Sequence, residues 1–291
     1  MLKNGVSIIA TGHHYYGRMA FNLAKTIKAI DKTCPIQIIT NGVALNPIGA
    51  RSHWVFDFIT HTQITDGFEV KLHIDKLTEF ENCLLLDADC AWVNKQSPID
   101  LIEHLSNTCD FTGITEGFFD VNQPEKSDVN TKYYFWADVN QLITAYTLVD
   151  KIYQWRTEVM FLKQCENVAK LFETARYVHA HAQQDLDSLK LFAHNIPDEL
   201  CINVAACIHH MHPHQYKWRP SFWHRLHSEN APQIDDLQQN YHVLSCGSNM
   251  TSPAVKKLYD RIVKAASYKL GMQHVFELIN KKQMMPTRQQ M

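Results

Sequence analysis

The chain has 291 residues, of which 45% are hydrophobic and 20% charged, with a formal net charge of −2. That length supplies ample material for a packed core, and the balance is ordinary for a globular protein. Near-neutrality excludes a generally basic nucleic-acid coat, though not a local basic groove, because the distribution of charge matters more than its total.

The first third alternates strand and helix signals. Residues 6–11, VSIIAT, form a short apolar run that stops at Gly12, the pattern of a buried parallel strand. Helical spacing follows over residues 18–30, with Ala20, Leu23, Ile27 and Ile30 on one face. Residues 36–40, IQIIT, read as a second strand ended by Asn41-Gly42. Val70, Ile74 and Leu77 mark a helix, residues 83–86 a third strand ending at Asp87, and Leu101, Ile102 and Leu105 another helix. A strand is expected over residues 110–114. The polar stretch 116–132 reads as a loop or lid, and a mixed region rich in aromatics and histidine comes after it. Ser252-Pro253 has the form of an N-cap with proline at the first helical position, opening an amphipathic helix through Val255, Leu258, Ile262 and Ala266.

This rhythm predicts an α/β fold with a mainly parallel sheet flanked by helices. The expected organisation is a single domain over residues 1–280. Residues 1–115 would form one half, 116–280 a second half with the C-terminal helices, and 281–291 a flexible tail. In such sheets ligands bind beyond the carboxyl ends of the strands, which places residues 11–16 and 87–89 in one cleft.

No apolar run approaches the roughly 20 residues that cross a bilayer, and residues 6–10 are too short for a signal peptide's apolar region. A cytoplasmic protein with no membrane-spanning segment is expected, in the host cytoplasm if the source is viral. Eight scattered cysteines without a CxxC pair read as buried free thiols.

The informative stretch is CLLLDADCAWV, in which an apolar strand delivers Asp87 to its tip and Asp89 follows two residues later. Successive strand side chains point to opposite faces, so the two carboxylates converge only if the chain bends there. Together they offer hard oxygen ligands for Mn²⁺ or Mg²⁺. Such an ion neutralises the charge that develops on a departing nucleoside diphosphate. An Asp-x-Asp pair also recurs on solvated turns, and the apolar run before this one favours the functional reading.

Residues 68–93, FEVKLHIDKLTEFENCLLLDADCAWV, resemble the core signature of GT-A glycosyltransferases related to glycogenin and the bacterial lipopolysaccharide galactosyltransferases. SIIATGHHYYGRMAFNLAKTIKAI is similar to that family's first strand, nucleotide-contacting loop and helix. TEVMFLK, residues 157–163, stands where the family carries a sugar-contacting segment. Gln184-Asp185 followed by IPDELCINV resembles the stretch where an Asp-Gln pair contacts the transferred sugar. The resemblance runs in order over residues 5–265. It implies a GT-A fold, a nucleotide-sugar donor (a UDP-sugar by that resemblance) and a divalent cation, with residues 1–115 as the nucleotide-binding half and 116–280 as the acceptor half.

On that resemblance, Thr11, Gly12, His13, Tyr16, Lys71, Asp87, Ala88 and Asp89 would contact the donor. Asp87, Asp89 and a C-terminal histidine would hold the metal. YHVLSCGS, with His242 and Gly247, fits a His-then-Gly pattern, and the cluster His209, His210, His212 and His214 competes with it. Lys71, Glu158 and Asp185 are the candidates for sugar binding or catalysis. Glu158 replaces the family's glycine or serine, and Gln184-Asp185 reverses its Asp-Gln order, which leaves the sugar and the stereochemical outcome open. The aromatic and basic stretch Trp218, Arg219, Trp223, His224, Arg225 and His227 suits either ring stacking and phosphate contact or a packed surface.

The expected reaction is transfer of a sugar to a hydroxyl on a glycan, a protein or a hydroxymethylated base in viral DNA. Two other readings are a nucleotidyltransferase, which ATGHHYYG serves poorly for want of glycine, and a catalytically inactive nucleotide-sugar-binding module.

Overall fold

The computed structural model describes residues 2–46, 48–128, 135–192, 194–214, 221–225, 234–246 and 252–272, and of residues 221–225 and 234–236 the backbone only. The first strand, β1 (Leu2–Ala10), leads into α1 (His14–Ile30) and β2 (Ile36–Thr40). Next come β3 (Phe58–His61), two short helices α2 (Gly67–Lys71) and α3 (Ile74–Leu77), β4 (Phe80–Asp87), β5 (Cys90–Trp92) and α4 (Pro98–Ser106). The second half holds β6 (Phe111–Asp120), α5 (Val139–Tyr146), β7 (Lys151–Lys163), α6 (Glu166–Asp185) and α7 (Asp198–Ile208). It closes with β8 (Ser221–Arg225), α8 (Ile234–Asn240), β9 (Tyr241–Ser245) and α9 (Pro253–Lys269).

Six strands form one sheet in the order β3-β2-β1-β4-β7-β6. The first four pair in parallel, and β7 pairs antiparallel with both β4 and β6, so β7 alone runs against the others. A small second sheet has the order β5-β9-β8. This is the mixed, mainly parallel α/β architecture read from the sequence.

Strand alternation divides the core between the two faces of the large sheet. Ile8, Leu84, Leu86 and Phe161 pack with α1, α4 and α9. Ile9, Leu85, Met160 and Leu162 pack with α6 and α7. Helix starts follow local chemistry: the side chains of His13, Asp66, Ser97 and Asp138 each accept a backbone N–H in the first turn of the helix that follows. Ser252 stands at the N-cap of α9 with Pro253 behind it, but its side chain makes no capping hydrogen bond. Gly17 is required by packing, because a Cβ there would lie 1.7 Å from the carbonyl oxygen of Ala44.

The structure extends or corrects several expectations. Residues 116–120 of the expected loop continue β6, residues 124–126 form a short 3-10 turn, and 129–132 lie outside the described residues. The expected boundary near residue 115 falls within β6, a strand of the main sheet. TEVMFLK, expected as a sugar-contacting segment, is the second half of β7, whose residues 159–163 pair with β4 in the sheet interior. The aromatic and basic stretch contributes β8, while Trp218, Arg219 and His227 lie outside the described residues, as do Gly247 and residues 281–291. All eight cysteines are free, six of them buried. Among the described residues no helix is long and apolar enough to cross a membrane.

Candidate active site

Parallel pairing sets Asp87, the last residue of β4, beside Ile9 of β1. Thr11 and Gly12 therefore leave β1 at the same sheet edge. Gly12 takes a φ of +76°, a left-handed conformation that glycine adopts without strain. The turn it makes delivers His13 to the N-cap of α1, where Nδ1 accepts from the Tyr15 amide at 3.3 Å. The Thr11 hydroxyl is buried beside Gly67 and makes no hydrogen bond among the described residues.

From β7 the site receives Thr157 and Glu158. Leu86 pairs with Val159, so the two preceding residues of this antiparallel strand lie level with the end of β4. On the other side the register with β6 steps from Gly113–Met160 to Ile114–Arg156, leaving residues 157–159 across a single step of β6. This bulge leaves Thr157 and Glu158 unpaired with β6 beside the end of β4, a common device beside functional sites.

Lys71, at the end of α2, organises the acids. Its ammonium donates to Asp87 Oδ2 at 2.8 Å and to Thr157 Oγ1 at 3.4 Å. It lies 3.2 Å from Asp198 Oδ2, an ion pair by distance though not aligned as a hydrogen bond. Lys71 is 6% exposed and Asp198 2%. Burial opposes the lysine's charge, but the carboxylates of Asp198 and Asp87 more than offset this and hold it well above its usual range. At Asp87 the balance is reversed: burial, helped by the Asp89 charge, raises the carboxyl above the usual carboxylate range despite Lys71. The burial and crowding of acids therefore outweigh the one lysine.

Ala88 and Asp89 form the turn between β4 and β5. The Asp89 carbonyl accepts the Cys246 amide at 3.2 Å, tying that turn to the end of β9. The Tyr16 phenol is raised by burial and then by the nearby charges of Asp89 and Asp87. The Tyr15 phenol feels Asp89 as well. Glu158 adds its charge to the field at Lys71.

Thus Thr11, Gly12, His13, Tyr16, Lys71, Asp87, Ala88, Asp89 and Glu158 share one edge of the sheet. Asp185 and His242 stand apart from it. Asp185 ends α6 exposed and interacts with the Tyr146 hydroxyl. His242 lies three residues before Ser245, and it is Ser245 that pairs with Cys90 beside the Asp-x-Asp turn. Its ring packs 5.5 Å from that of Trp92, it is 1% exposed, and burial lowers it to about 4, a neutral core imidazole. Nor does the competing cluster reach the site: His210 and His212 approach Asp150, His209 bonds Thr174, and His214 stands near His104. Among the described residues no group of three or more His, Cys, Asp or Glu side chains gathers at a metal-sized site.

Asp198 is the participant that the sequence reading left out, although its segment IPDELCINV was singled out. The signal was an acid in the first turn of a helix beginning at proline. Ser245 was also overlooked; its buried hydroxyl makes no hydrogen bond among the described residues.

No family model matches the sequence, and no curated protein does. Among solved structures, the apo bifunctional glycosyltransferase WbbM matches with a TM-score of 0.57 and 9% identity, over 94% of this chain and 51% of that one. The chain thus spans about half the length of WbbM. The galactosyltransferase LgtC with donor and acceptor sugar analogs matches with a TM-score of 0.48 and 10% identity, over 98% of this chain and 99% of that one. An active-site mutant of LgtC matches with a TM-score of 0.49 and 12% identity, over 89% and 95%. The chain has the fold of GT-A type glycosyltransferases.

Proposed function

We propose that this protein is a metal-dependent glycosyltransferase that moves a sugar from a nucleotide-sugar, a UDP-sugar on the sequence resemblance, to a hydroxyl acceptor. The observation that carries the reading is the acid excess at the sheet edge. Asp87 and Asp198 pair with one buried cation, Lys71, Glu158 adds its charge there, and Asp89 adds its own at Asp87. Carboxylates crowded in this way are stabilised as anions by a divalent cation.

Asp87 and Asp89 are the residues that would hold Mn²⁺ or Mg²⁺, and their oxygen donors suit such hard ions. When bound, the ion supplies Lewis-acid neutralisation of the diphosphate leaving group. Lys71, kept protonated by Asp198 and Asp87, presents a fixed positive charge to the donor. Thr11 and Gly12 allow close backbone approach, and Tyr16 and His13 line the nucleotide side. Glu158 is the acid placed to meet sugar hydroxyls. Asp198 positions Lys71, while Asp185, the expected sugar-binding or catalytic acid, stands at Tyr146.

A panel of nucleotide sugars with Mn²⁺, scored for slow donor hydrolysis without acceptor, tests the reading and names the donor. A donor hydrolysed only with metal is the expected result. No binding or hydrolysis of any nucleotide sugar would overturn it.

A further inference from the structure

Next to the acid cluster lies a group of aromatic rings that the donor site does not use. Phe192 packs edge-on against Phe68 at 5.6 Å and against Trp136 at 5.9 Å, with interplanar angles of 85° and 86°. Although held on both sides, Phe192 remains 48% exposed. Trp136 takes a φ of +67°, a conformation costly for a bulky side chain. Two bonds hold it there: its carbonyl accepts the Lys190 amide at 2.8 Å, and its indole N–H donates to Glu199 Oε2 at 2.7 Å. Arg156 fixes the other oxygen of Glu199 at 2.9 Å and also pairs with Glu116.

These contacts close a loop that begins and ends at Lys71. Lys71 meets Asp198, whose neighbour Glu199 holds Trp136; Trp136 meets Phe192; Phe192 meets Phe68, three residues before Lys71 on α2. The strained tryptophan is therefore fixed to the reaction edge from two directions.

We propose that the exposed face of Phe192 with Trp136 is the acceptor subsite, and that it takes a neutral saccharide ring. The proposal rests on the glycosyltransferase reading and names its acceptor class. A pyranose has an apolar C–H face that packs on an aromatic ring, and hydroxyls around its rim that need polar partners. Phe192 and Trp136 supply the first, and Arg156 with Glu199 and Glu116 the second. The same acids disfavour a nucleic acid, because carboxylates beside the rings repel its phosphates.

The test is saturation-transfer NMR on the full chain with UDP and Mn²⁺, using maltotriose, cellotriose, lactose and chitotriose as probes. At least one saccharide should receive saturation and quench tryptophan fluorescence. Phe192→Ser, a change at a half-exposed position, should weaken that binding about tenfold or more, and Phe192→Tyr should restore it. Trp136→Phe, which keeps a ring but loses the bond to Glu199, should weaken it as well. UDP binding with no saccharide binding, or equal saccharide binding by Phe192→Ser, overturns this inference alone. Preference for an oligonucleotide carrying hydroxymethylated bases overturns it too, in favour of DNA. Failure of UDP and every nucleotide sugar to bind overturns the glycosyltransferase reading instead, and saccharide binding dependent on Phe192 would then keep the subsite as a carbohydrate site.

Discussion

Lys71 Nζ stands 3.2 Å from Asp198 Oδ2, joining the end of α2 to the start of α7 across 127 residues of chain. The same ammonium lies 2.8 Å from Asp87. One buried lysine thus couples the strand-end carboxylate to a helix from the second half of the chain, and its removal has a calculable cost. Lys71→Met should destabilise the fold by about 3–5 kcal/mol, because it leaves the buried Asp198 carboxylate uncompensated. Adding Asp198→Asn should recover much of that loss. Urea unfolding of the four members of this cycle measures the coupling, and additive losses would show that the pair is not an energetic unit.

Asp89→Ala should reduce transfer by about 100-fold or more while the thermal melting curve stays close to that of the parent, since the residue lies in a turn. Exhaustive chelation should have the same effect, with Mn²⁺ restoring activity better than Ca²⁺, which prefers larger and looser oxygen shells. Near-parental turnover in the variant, or full activity after chelation, would remove the metal from the proposal.

His242 gives a pH signature of its own. Burial lowers its folded-state value to about 4, against 6.5 for the ordinary group. Between those values the unfolded chain binds a proton that the folded chain refuses. Stability contributed by the neutral ring is complete above pH 6.5 and declines by about 3 kcal/mol as the pH falls to 4. His242→Phe should flatten that slope and keep Mn²⁺-dependent UDP affinity within about twofold, a difference worth less than 0.5 kcal/mol. A tenfold loss in calorimetric titration would return His242 to the metal shell.

Lys25 behaves in the same sense at higher pH. Its ammonium donates to Ser267 at 3.0 Å, joining α1 to α9, yet burial lowers it to about 8. From pH 8 to 10.5 the unfolded chain carries more protons, so stability should rise with pH across that window. Lys25→Met, which keeps length and removes the charge, should stabilise the protein at pH 7 by about 1–3 kcal/mol. Destabilisation by a comparable amount in urea unfolding would show that the bond to Ser267 outweighs the burial of charge.

Much of the fold and part of the site were legible in the residue order. The apolar runs at residues 6–11, 36–40 and 83–86 are strands because each is short, apolar and stopped by a turn signal or a charge. The α1 stripe and the proline-opened α9 follow from helical spacing and capping. Asp87 falls at a strand tip because an unbroken apolar run can end only where the chain leaves the core. Less legible were β3, only four half-buried or exposed residues, and β7, whose Tyr153, Arg156 and Glu158 interrupt the apolar pattern.

The sequence by itself therefore determined the βαβ rhythm, the sheet edge and the carboxylate pair, since period, caps and turn residues act over a few positions. Tertiary structure alone decided that β7 runs against its neighbours and that a bulge sets residues 157–159 across a single step of β6. It also decided that Asp198 rather than Asp185 meets Lys71, and that His242 is buried against Trp92. These are pairings between residues far apart in the chain, and local spacing carries no record of a strand's partner. A one-residue change of register moves a side chain to the other face, so only the assembled sheet fixes which acid and which histidine reach the edge.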